Sequence, residues 1–77
     1  MNKIKITKAV LPYEHFYTQN IETELDLYSY YWSTFLNDYK TWTIFSARET
    51  QNYILITLEK VLGKVVQHMM VKIEEIK

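Results

Sequence analysis

The sequence predicts an α+β domain, mostly helical, and three observations carry that expectation. The chain opens on an alternation of lysine with β-branched residues, its middle third repeats apolar residues every three to four positions, and its 77 residues include one Gly and one Pro. Sheet-rich folds draw on Gly and Pro for their turns, so the shortage favours helix wherever two readings compete. A chain this short supports one hydrophobic core and not two, so residues 1–77 are expected to form a single small domain.

The first element follows from Lys3-Ile4-Lys5-Ile6-Thr7, whose period of two is that of a half-buried strand, expected over 2–9. Pro12 lacks a backbone N–H and disfavours helix at the residue before it, which predicts a loop from Leu11 to about Asn20. From Ile21 a helical period begins. Ile21, Leu25, Tyr28, Trp32, Phe35, Leu36 and Tyr39 fall on one side of a helical wheel, and Glu22, Asp26, Ser29, Ser33 and Asn37 fall on the other. The expected helix spans about 21–38, with Asn20 as its N-cap and Trp32 in the core.

Thr41-Trp42-Thr43-Ile44-Phe45 is β-branched and aromatic, and predicts a short strand over about 41–46. The remainder supports two readings. In the favoured one, Ser46 and Glu49 form a capping box that opens a long C-terminal helix over about 47–75. Its apolar stripe would be Ile54, Leu58, Val61, Leu62, Val65, Met69, Ile73 and Ile76. In the alternative, 52–59 is a strand forming a hairpin with 41–46, followed by a shorter helix or strand. Gly63 interrupts the helical reading at a cost of about 1 kcal/mol.

Charge is zero overall but unevenly spread. Residues 1–8 carry +3, residues 9–39 carry −5 with no Lys or Arg, and residues 40–77 carry +2. The acidic third also holds nine of the twelve aromatic residues. Lysine outnumbers arginine eight to one, a bias of AT-rich genes that fits a short accessory gene of a virus or mobile element.

Little in the chain suits catalysis, and the expectation is a protein that is not an enzyme and takes no cofactor. His15 and His68 have no Cys or second His at metal-ligand spacing, so no metal site is expected. Ser29, Ser33 and Ser46 lack the glycine setting of an activated nucleophile, and one glycine cannot build a phosphate cradle. No run approaches the roughly 20 apolar residues of a membrane span, and none forms a signal-peptide core. With no cysteine, the expected compartment is the cytoplasm.

What is left is recognition. An acidic, tyrosine-rich segment suits the docking of a basic protein partner, one that handles nucleic acid, because Tyr offers large contact area and carboxylates steer the encounter. The residues expected to carry it are Glu22, Asp26, Tyr30, Tyr31 and Asp38. The expected function is therefore a non-enzymatic accessory or inhibitor protein. A small, dimeric nucleic-acid-binding regulator using the basic ends, with Lys3, Lys5, Lys60, Lys64 and Lys72 as contacts, is the rival reading, and a self-associating structural subunit is the third. The apolar stripe from Ile54 to Ile76 adds an expected homo-oligomer.

Overall fold

A computed structural model describes residues 1–11 and 15–76, and it is mostly antiparallel sheet. The strands are β1 (Asn2–Leu11), β2 (His15–Thr23), β3 (Thr43–Glu49), β4 (Tyr53–Leu62) and β5 (Val65–Ile76), with a helix, α1, over 27–38 between β2 and β3. They form one five-stranded sheet in the order β2-β1-β5-β4-β3, every neighbouring pair antiparallel. The helix carries the chain from one edge of the sheet to the other and covers one face on the way.

This overturns the mostly helical expectation. The predicted helix over 47–75 is three strands, and the hairpin of β3 with β4 is the alternative reading of that stretch. Its apolar residues follow a period of two: Ile54, Ile56 and Leu58 of β4 face α1, as do Met69, Val71 and Ile73 of β5. The run also fits a helical period because apolar residues occupy the alternate positions, such as Leu55, Val61, Val66 and Met70. A run apolar on both faces fits either period. Ser46 and Glu49 lie in β3 and cap nothing. One glycine suffices for the β4–β5 turn, where Gly63 takes φ +63° in a two-residue hairpin loop.

The first half departs less. β1 covers the strand expected over 2–9. Residues 15–20, expected to be loop, belong to β2, and residues 12–14 of that loop lie outside the described residues. The helix starts after Asp26, not Asn20. Asp26 holds extended backbone (φ −76°, ψ 176°), and its carboxylate accepts the Ser29 N–H at 2.8 Å, supplying one of the bonds that a helix start lacks. Ile21 belongs to β2.

Within α1, Tyr31–Phe35 makes a π turn, and the Leu36 N–H donates to the Tyr31 carbonyl five residues back. Leu27, Tyr30, Tyr31 and Phe35 are thereby aimed at the sheet, and the Tyr31, Phe35 and Tyr39 rings lie in succession at 5.7 and 4.7 Å. Trp32, expected in the core, is 63% exposed. The buried cluster joins these side chains to Ile4, Ile6, Ile54, Ile56, Leu58, Met69, Val71 and Ile73. Each fully buried Ile or Leu stabilises the fold by about 1.5–3 kcal/mol. No helix among the described residues is long and apolar enough to cross a membrane.

Candidate functional site

With α1 on one face, no described element covers the other face of the sheet, the bare face. Register partners in an antiparallel sheet share a face, so the cross-strand pairs define what it presents. One row crosses all five strands: Phe16 is paired with Ala9, Ala9 with Met70, Met70 with Thr57 and Thr57 with Ser46. A sheet face turned to water normally carries polar residues at such positions. Here the centre is apolar.

Thr7, Ala9, Phe16, Leu55, Met70 and the stem of Lys72 line a shallow depression of about 150 Å³. At one edge Phe16 stands 73% exposed. At the other, a bulge between Ile44 and Ser46 turns Phe45 out, 66% exposed and with its ring edge-on to His68 at 5.7 Å. Aromatic side chains therefore mark both ends of the apolar row.

Charges flank the row on both sides. Toward the β4–β5 turn, Nε2 of His68 lies 3.7 Å from Oε2 of Glu59. Toward the other end, Nζ of Lys72 lies 3.7 Å from Oε2 of Glu74 and 5.0 Å from the centre of the Tyr53 ring. Lys5 is paired across strands with Glu74 and Asn20, Lys3 with Glu22, and Arg48 with Leu55. The Lys72–Glu74 ion pair is partly exposed and contributes about 0–1 kcal/mol, so it shapes the surface more than it holds the fold.

The five residues expected to bind a partner do not form one surface. Tyr30 and Tyr31 are 6% and 2% exposed, packed between α1 and the sheet. Burial pushes their hydroxyls above the ordinary tyrosine range, with Asp38 adding to the effect on Tyr30 and Glu49 to that on Tyr31. Asp26 is exposed but engaged as the helix cap. Asp38 lies twelve residues further on, about 18 Å along the helix at 1.5 Å per residue. Of the five, Glu22 alone belongs to the bare face, at its β2 edge opposite Lys3.

The basic set divides too. Lys3, Lys5 and Lys72 come together on the bare face, Lys60 lies over the Trp42 ring at 5.6 Å, and Lys64 sits in the hairpin turn. Sequence reasoning missed Phe16, Phe45, Leu55 and Met70. A signal was present in the period-two pairs Thr7/Ala9 and Met70/Lys72, but it is readable only once both segments are known to be strands. Among the described residues, no three His, Cys, Asp or Glu side chains are grouped to hold a metal ion. Compared with protein-family models, with curated proteins and with solved structures, the chain matches none.

Proposed function

We propose that this is a non-enzymatic binding protein whose working surface is the bare face of the sheet, where it takes another polypeptide. The observation that carries the reading is the apolar row across the water-facing side, Phe16, Ala9 and Met70 with Leu55 beside it, bounded by charge pairs. An apolar centre inside a polar rim is the anatomy of a protein contact. Exposed aromatic rings at its ends supply the large, stiff side chains that dominate such contacts.

The test is capture of polypeptide from nuclease-treated lysate of the native host by tagged wild type and by Met70→Lys. Wild type is expected to retain a defined polypeptide that the variant, folded by circular dichroism, releases. Equal capture by both moves the binding surface elsewhere.

One observation favours a second reading, direct binding of single-stranded nucleic acid: Lys3, Lys5 and Lys72 share the bare face with Phe16. Bases stack on exposed aromatics while lysines meet phosphate. The central positions are aliphatic and three carboxylates, Glu22, Glu59 and Glu74, lie on the same face, which favours polypeptide. Anisotropy of a labelled oligonucleotide discriminates, since salt-sensitive binding lost in Lys5→Gln/Lys72→Gln would support the nucleic-acid reading.

A further inference from the structure

We infer that the polypeptide taken by the bare face is a second copy of this chain, packed face to face as a two-sheet sandwich with the helices outside. The inference rests on the polypeptide-binding reading above and adds the occupant.

Its first ground is the symmetry of the row. β5 is the middle strand, so a two-fold axis along it lays β2 of one copy over β3 of the other, and β1 over β4. The row Phe16-Ala9-Met70-Thr57-Ser46 then falls on itself. Phe16 of one chain meets the small Ser46 and the neighbouring Phe45 of the second copy, Ala9 meets Thr57, and the two flexible Met70 side chains meet at the axis. Aromatic rings meet beside the small Ser46 at the edges, and an adaptable residue fills the centre.

The second ground is size. Strands 4.8 Å apart rising about 3.3 Å per residue give five strands of these lengths a face of about 750 Å². A standard interface takes about 800 Å² from each partner. The chain also exposes 5462 Å², against about 5000 Å² expected of a folded monomer of its mass. Covering one face removes the excess.

The third ground is charge. The chain is formally neutral, so two copies do not repel at long range. Along the axis Lys72 faces Lys72 and Glu74 faces Glu74 of the second copy, and each Lys72 keeps Glu74 of its own chain, 3.7 Å away, as counter-ion. An occupant of strongly basic or strongly acidic character finds no single-signed surface here, since Lys3, Lys5 and Lys72 share the face with Glu22, Glu59 and Glu74.

Two measurements on the full chain test this. Sedimentation from low to high micromolar concentration is expected to show a species of twice 9.4 kDa that Met70→Lys weakens by about tenfold or more. Phe16→Glu, at an exposed edge position, serves as the second variant should Met70→Lys fail to fold. Because the chain has no cysteine, Met70→Cys is expected to form an intermolecular disulfide under mild oxidation, while Trp32→Cys, on the outer side of α1, does not. A wild-type mass of 9.4 kDa throughout, or a dimer that neither variant weakens, or equal cross-linking at both positions, overturns the inference. Monomeric wild type that still captures a Met70-dependent polypeptide from lysate rejects the second copy and leaves the binding reading standing. A monomer that captures nothing rejects both.

Discussion

Tyr31 and Trp32 are consecutive residues whose rings meet edge to face at 5.3 Å, yet Tyr31 is sealed between α1 and the sheet while Trp32 stands in solvent. The boundary of the core thus passes between two adjacent aromatic side chains. Truncation at the two positions should differ accordingly. Tyr31→Ala removes a buried ring and is expected to destabilise by about 3–5 kcal/mol, as large-to-small aromatic changes in cores do. Trp32→Ala loses a partly exposed ring contact and is expected to cost about 1 kcal/mol or less. Urea unfolding of both variants checks the pair, and similar losses at both positions would place the core boundary elsewhere.

Asp26 gives the acid limb of stability a specific contributor. Chiefly because the Ser29 backbone N–H donates to it, its carboxyl is held below the ordinary value of 3.8. The folded chain therefore takes up this proton less readily than the unfolded chain. Its contribution is present above pH 3.8 and is lost as pH falls through the lower folded value. Asn also caps helices but does not titrate there. Between neutral pH and pH 3, about one unit below the ordinary value, the urea midpoint of wild type should fall further than that of Asp26→Asn.

The alkaline limb belongs to Tyr30 and Tyr31. Burial raises both hydroxyls, so the folded chain holds these protons more tightly than the unfolded chain does. Their contribution is intact below the ordinary tyrosine value of 10.0 and is lost as pH rises through the raised values. Tyr30→Phe/Tyr31→Phe is expected to unfold less readily in alkali than wild type. Tyrosinate absorbance followed alongside circular dichroism should show these two rings ionising with unfolding in the wild type, not before it.

Gly63 is needed for its backbone and not for its size. Its φ is +63°, and a Cβ added there meets nothing within 4 Å. Gly63→Ala should therefore cost only the left-handed strain of an L-residue, about 1–2 kcal/mol. Gly63→Asn should cost less, because Asn tolerates that conformation. Thermal melts of the two variants check the order, and a larger loss from Asn would point to a steric role.

The opening strand was legible because Lys3-Ile4-Lys5-Ile6 alternates cleanly, one face charged and one apolar. A helix in the middle third was legible too, since Ser, Asn and Asp recur there among aromatics at helical spacing. Its phase was not. Tyr28, Tyr30, Tyr31 and Trp32 give a helical wheel almost no polar contrast, and the π turn at Tyr31–Phe35 shifts which of them face inward. The hairpin of β4 and β5 was hidden by its own composition, because apolar residues on both faces erase the period that separates strand from helix.

By itself, then, the sequence determined that the chain opens on a strand, holds a helix in its middle third and segregates charge along its length. Pairing partners were decided only by the tertiary structure, and with them the candidate site. Phe16, Ala9, Met70, Thr57 and Ser46 lie far apart along the chain, and no local signal ties them together. They form a row because the apolar side chains of β1, β4 and β5 must share one face under α1 to escape water. With a period of two, burying Ile6, Ile56 and Val71 on that side places Thr7, Leu55 and Met70 on the other.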